Sequence, residues 1–194
     1  MNLTAPAMSS MTECGTLPLN LLDGKINHLD SHRKGTTRMA QIYVAGPLFA
    51  QHERLFLEEM VRTLALHTGL DPLADFFLPH RDGGELGRGP TREEIFRLDI
   101  EQVDKAEMVV ALLDGQDSDS GTCVEIGYAF ARGKPVFGLL TDFRAICTAD
   151  PEPHRPNLMV WGACAYGRRL FHTLEDLVTA FSIQLMCGRT EEKK

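Results

Sequence analysis

The stretch Asp119-Ser120-Gly121-Thr122-Cys123-Val124-Glu125-Ile126-Gly127-Tyr128-Ala129 reads as an acidic loop running into a helix whose early turns carry one glutamate. The apolar run Met108-Val109-Val110-Ala111-Leu112-Leu113 precedes it, and Lys134-Pro135-Val136-Phe137-Gly138-Leu139-Leu140 follows. Short apolar runs bounded by turn residues suit buried strands, so the segment is a strand, loop, helix, strand unit. In open α/β sheets ligands bind where such loops leave the carboxyl ends of strands. Glu125 is therefore expected at a functional rim.

Outward from this unit the same alternation continues. Gln41 to Ala45 is predicted as a strand, Gln51 to His67 as an amphipathic helix and Leu73 to Leu78 as a second strand. A Gly-rich stretch from His80 to Pro90 follows, including Gly83 to Gly89, read as a lid. Thr91 to Lys105 is the next helix, and Leu174 to Met186 the last. Repeated βα units imply a doubly wound α/β domain with a parallel sheet. The loop Ala149 to Pro156 holds too many prolines for a helix or a central strand.

Residues 1 to 38 are polar and lack a sustained period, so they are read as a flexible tail, with the domain at 39–188 and a charged tail at 189–194. His28 and His32 are accompanied by no third ligand and belong to that solvated tail rather than to a metal site. The net charge of −7, without a basic block, argues against nucleic acid or anionic lipid as partner. Five scattered cysteines form no zinc-type pair and read as reduced thiols. With neither a membrane-length apolar run nor a secretory signal pattern, a cytoplasmic location is expected.

Several familiar motifs fail. Ala45-Gly46-Pro47-Leu48-Phe49 lacks the later glycines of a dinucleotide fingerprint. Gly127 to Lys134 has the wrong spacing for a phosphate loop and lies at a helix end, the unfavourable pole for an anion. Asp114, Asp117 and Asp119 lack calcium-loop spacing and are read as a solvated acidic loop. No serine elbow is visible.

Three carboxylates converge on one rim in this reading: Asp99 on the helix before the central strand, Asp119 in the loop after it, and Glu125 on the next helix. Paired carboxylates suit glycosyl transfer, in which one attacks or stabilises an oxocarbenium-like carbon and another protonates the leaving group. The helix N-terminus is expected to keep Glu125 ionised. Singly, each acid also has a plainer role: Asp99 on a solvated helix face, Asp119 as an N-cap, Glu125 as an exposed second-turn residue.

From Asp99 to Asp142 the chain resembles the nucleoside 2-deoxyribosyltransferase family, carried by Asp119 to Ala129 with Ala106 to Gly115 before it and Gly133 to Val136 after it. Ile42-Tyr43-Val44-Ala45-Gly46-Pro47 and Asn157-Leu158-Met159-Val160-Trp161 extend the resemblance to roughly Gln41 to Phe181. It implies a flavodoxin-like doubly wound sheet of about five parallel strands with helices on both faces. It also implies double displacement without metal or cofactor, in which Glu125 attacks C1′ of a 2′-deoxynucleoside and the deoxyribosyl group passes to a free nucleobase. By the same resemblance Asp99 protonates the leaving base, Tyr43 orients the nucleophile, and Asp119 and Asn157 hold the 5′-hydroxyl. Phe49 would stack on the base, while Gly46, Gly121 and Met159 complete substrate binding. Sites near subunit interfaces imply a homo-oligomer.

Two alternatives remain open at this level. A deoxynucleoside 5′-monophosphate N-hydrolase would use water as acceptor, and Asp119 opposes it by repelling phosphate, although Ser118 and Ser120 flank that aspartate. A silent nucleotide-sensing module would keep the fold without turnover.

Overall fold

The core alternates with strand periodicity. In β1 (Ile42–Ala45) Ile42 and Val44 point into one hydrophobic cluster, and Tyr43 and Ala45 into another on the opposite face of the sheet. β3 (Met108–Leu112) repeats the pattern, with Met108, Val110 and Leu112 on the first side and Val109 and Ala111 on the second. A computed structural model of the chain describes residues 42–84, 89–142 and 156–191, and side chains as far as 187. The described residues fall within one compact unit, Thr37–Lys194. The predicted N-terminal tail, with His28 and His32, and most of the Gly83 to Gly89 and Ala149 to Pro156 loops lie outside the described residues.

Five strands pair in parallel in the order β2-β1-β3-β4-β5, with β2 at Phe76–Phe77, β4 at Val136–Leu139 and β5 at Leu170–Phe171. The chain direction across the sheet reverses between β1 and β3, the switch point at which doubly wound sheets bind ligands. α1 (Gln51–Thr68) and the last helix, α6 (Leu174–Glu191), cover one face; α3 (Arg92–Lys105), α4 (Ser120–Ala131) and α5 (Leu158–Ala163) cover the other. A short α2 (Pro79–Asp82) follows β2.

Local chemistry sets these boundaries. On α1, Leu57, Met60, Val61 and Leu64 recur at helical spacing and are buried, each contributing roughly 1.5–3 kcal/mol of burial. Gly69 ends the helix at φ 71°, a left-handed conformation glycine adopts without a Cβ clash. α3 starts with a capping box: Thr91 Oγ1 accepts from the Glu94 amide, and Glu94 accepts from the Thr91 amide.

Four sequence expectations are corrected. The second strand is only Phe76–Phe77, because Asp71 Oδ1 accepts from the amides of Leu73 and Ala74 and folds those residues into a turn. His80 lies not in an irregular stretch but on α2, whose Pro79 is pre-set for a first helical position. The last helix runs past Met186 to Glu191, since a single glycine near a helix end costs only about 1 kcal/mol. Asp114 is not a solvated loop acid: its carboxylate accepts from the amides of Thr141 (2.5 Å) and Asp142 (2.9 Å) and from the Thr141 hydroxyl. It ties the end of β3 to the end of β4, reinforcing the rim from which α4 departs.

Candidate active site

Tyr43 is fully buried, and its ring stacks on Phe77 with centroids 5.6 Å apart. Strand alternation aims it at the α4 side of the sheet. Its hydroxyl donates to Glu125 Oε1 at 2.7 Å, a charge-assisted bond when the glutamate is ionised. Burial, then the charges of Glu125 and Asp99, push the Tyr43 pKa upward, so the phenol remains a donor.

The placement of Glu125 begins at Asp119. The Asp119 carboxylate caps α4, accepting from the Thr122 amide at 2.9 Å and from the Thr122 hydroxyl at 3.1 Å through Oδ2. Thr122, Ile126 and Ala129 then form the buried stripe of α4. Glu125 lies at the edge of that stripe, where one oxygen meets Tyr43. Asp119 thus has the N-cap role open to it from sequence, with Oδ1 turned to no partner in the cap.

Asp99 sits one helical turn before Val103, which is fully buried beneath α3. Its Oδ1 is buried without a hydrogen-bond partner among the described residues. Removal from water raises its pKa from the ordinary 3.8 to about 6. An unpartnered carboxylate oxygen of this kind is a feature of a general acid that acquires its partner from substrate.

Glu125 departs from expectation. Its pKa rises to about 7, because burial outweighs the Tyr43 hydrogen bond, and Asp99 and Asp119 add like-charge repulsion. The α4 N-terminus does not keep it fully ionised: dipole stabilisation falls off within the first turn, and Glu125 lies beyond it. Tyr43→Phe is accordingly expected to raise the Glu125 pKa further. A pH titration of activity would show the acidic limb displaced to higher pH in that variant.

A cleft of about 340 Å³ opens between α3 and α4. Arg92, Ile95, Phe96 and Asp99 line it from α3, at the spacing of one helical face. Gly121, Val124 and Glu125 line it from α4. Arg92, Ile95, Phe96 and Val124 were not anticipated as site residues. Their signal is the periodicity that places Arg92, Ile95 and Phe96 on one α3 face with Asp99, legible only once that face is known to be the one turned toward α4.

The other anticipated residues are distributed around this centre. Gly46 is buried, and a Cβ there would stand 2.9 Å from Leu57 Cδ2 and 3.1 Å from Leu112 Cβ, so its visible task is close packing. Asn157 caps α5, accepting from the Met159 amide at 2.9 Å, and α5 packs on α4. Met159 and Phe49 are 82% and 74% exposed, and neither lines the cleft.

The arrangement is thus a carboxylate held by a buried tyrosine, a second carboxylate of raised pKa beside it, and an apolar cleft between α3 and α4 that both carboxylates line. The profile of the family described as nucleoside 2-deoxyribosyltransferase matches residues 42–159, and the chain belongs to that family. An uncharacterized protein of Schizosaccharomyces pombe is 31% identical over 112 residues, 53% of this chain, and the chain spans about half (51%) of the length of that relative. The crystal structure of a conserved protein from Enterococcus faecalis V583 superposes with a TM-score of 0.62 at 29% identity, covering 75% of this chain and 99% of that one. The 2-deoxyribosyltransferase of Bacillus psychrosaccharolyticus shares the fold at TM-score 0.53 and 24% identity, covering 72% of this chain and 90% of that one. That of Leishmania mexicana does so at 0.54 and 23%, covering 74% and 97%. Among the described residues no helix is long and apolar enough to cross a membrane.

Proposed function

We propose that the chain transfers the 2-deoxyribosyl group of a 2′-deoxynucleoside to a second nucleobase, through a covalent intermediate on Glu125. The observation carrying this reading is the 2.7 Å hydrogen bond from the Tyr43 hydroxyl to Glu125 Oε1. One glutamate oxygen is fixed, and the other is available to attack C1′. As the new C1′–O bond forms, the C1′–N bond breaks and its electron pair stays on the departing nitrogen, which takes the proton of the Asp99 carboxyl. The acceptor base reverses the sequence: its nitrogen attacks C1′, the glutamyl ester oxygen leaves with its electrons, and the proton of that nitrogen returns to Asp99. Two displacements give net retention at C1′.

The ionisation of the two carboxylates is coupled. The productive form holds one proton for the pair, on Asp99, with Glu125 charged. With Asp99 raised to about 6 and Glu125 to about 7, the shared proton resides mainly on Glu125 in the free protein, and turnover draws on the minor form with the proton on Asp99, which is most abundant in the mildly acidic to neutral range.

Asp119 Oδ1 and Asn157 are assigned to the sugar's 5′-hydroxyl. Asp119→Ser is expected to retain the N-cap, since serine caps helices well, and to gain turnover of 5′-monophosphates through loss of a repelling charge. Unchanged discrimination between nucleoside and monophosphate would place the 5′ end elsewhere. The 80% and 82% exposure of Leu158 and Met159, beside Asn157, favours a second subunit covering α5 in a homo-oligomer.

Incubation with deoxyinosine and free guanine, followed by chromatography, tests the whole reading. New deoxyguanosine is the expected result. Hypoxanthine release without exchange would make water the acceptor, and binding without turnover would leave a sensor.

A further inference from the structure

We propose that Arg92 is the base-specificity residue of the cleft, and that it selects 6-oxopurines by donating its guanidinium fork to O6 and N7. This rests on the base-exchange reading above and adds the substrate class to it.

Arg92 stands at the first position of α3, where a cation is opposed by the positive pole of the helix. No carboxylate among the described residues pairs with it, whereas Arg97 on the same helix is paired with Glu93. Its position is therefore not explained by the stability of α3. It does line the cleft, on the face that carries Asp99, seven residues further along. That separation is about 10 Å of helix. Ile95 and Phe96 lie between the two, and Val124 faces them from α4. From floor to mouth the cleft thus presents a nucleophile with its acid, a flat apolar slot and a lone guanidinium.

A nucleobase matches that order. With C1′ at Glu125 and the departing nitrogen at Asp99, the ring fills the apolar slot and its far edge points to the mouth. A bicyclic purine extends further toward Arg92 than a pyrimidine. The far edge of hypoxanthine or guanine offers two acceptors, O6 and N7, which suit the parallel donors of arginine; adenine presents a donor at N6 and clashes with them. As the C1′–N bond breaks, negative charge spreads over the purine toward O6. A cation at that edge stabilises the transition state more than the ground state.

The test compares kcat/KM for deoxyinosine, deoxyguanosine, deoxyadenosine and thymidine in the unaltered protein, Arg92→Lys and Arg92→Gln. The unaltered protein should prefer the two 6-oxopurine nucleosides by on the order of ten- to a hundredfold. Arg92→Gln should lose most of that preference and gain relative activity on deoxyadenosine, because glutamine offers a donor and an acceptor matching N6 and N7. Arg92→Lys, keeping charge without the fork, should fall between them. Circular dichroism of each variant verifies the fold.

Unchanged base discrimination in Arg92→Gln overturns the proposal, as does a preference of the unaltered protein for thymidine or deoxyadenosine. A defect of Arg92→Gln confined to 5′-monophosphates would assign the arginine to phosphate and equally overturn it. Each of these outcomes leaves base exchange standing. Absence of turnover on all four nucleosides in the unaltered protein instead removes the exchange reading, and this proposal with it.

Discussion

Glu125→Ala is expected to lower base exchange by at least about 10⁴-fold, the scale on which removing a covalent nucleophile acts, while leaving the circular dichroism spectrum unchanged. Near-normal exchange in that variant would end the assignment of the nucleophile. Glu125→Gln tests the same group through stability. The folded-state pKa of Glu125 lies above its ordinary 4.5, at about 7. Its contribution to stability is therefore full below about pH 4.5 and is lost as pH rises through 7, where the ionised side chain must stay buried. At pH 8 the glutamine variant should be more stable than the unaltered protein by on the order of 3 kcal/mol, an advantage that vanishes near pH 4. Thermal melts at the two pH values measure it. An equal difference at both would show that ionisation of Glu125 does not oppose folding.

Asp99→Asn should cost about 10² to 10⁴ in kcat for an ordinary deoxynucleoside, the range of a lost general acid. The loss should nearly disappear for the 2′-deoxyribosyl nucleoside of nicotinamide, whose base carries a positive charge before the bond breaks and leaves without a proton. Similar losses on both substrates would restrict Asp99 to binding. The fall of activity at alkaline pH, which reports loss of the proton that Asp99 must carry, should disappear in Asp99→Asn.

The fold was legible where burial dominates. Alternate residues of Ile42–Ala45 and Met108–Leu112 enter opposite cores, and apolar spacing on Gln51–Thr68 leaves one helical solution. It was obscured where short polar side chains compete for the backbone, as Asp71 does before β2, and where strands shrink to two residues, as at Leu170–Phe171. In the site, the alternation of strands and helices brings Asp99, Asp119 and Glu125 to one rim, and the family resemblance adds Tyr43 to them. The raised pKa of Glu125 is not legible in sequence, because a linear sequence displays a helix start but not the depth at which a side chain is enclosed. Arg92 is hidden for a related reason: one arginine among twenty basic residues acquires meaning only from the carboxylates and apolar walls beside it.

At the far end of α3 and α4 from the cleft, Asp104 on α3 accepts from Tyr128 at 2.9 Å and from Arg132 at 2.8 Å, both at the end of α4, and Lys134 donates to the Asp104 carbonyl at 2.7 Å. α3 and α4 are thus tied together at their C-terminal ends, while their N-terminal ends, bearing Arg92 and Gly121, stand on either side of the cleft. The spacing of the two helices is set by a surface cluster of charges, and high salt, which screens such pairs, is expected to loosen it.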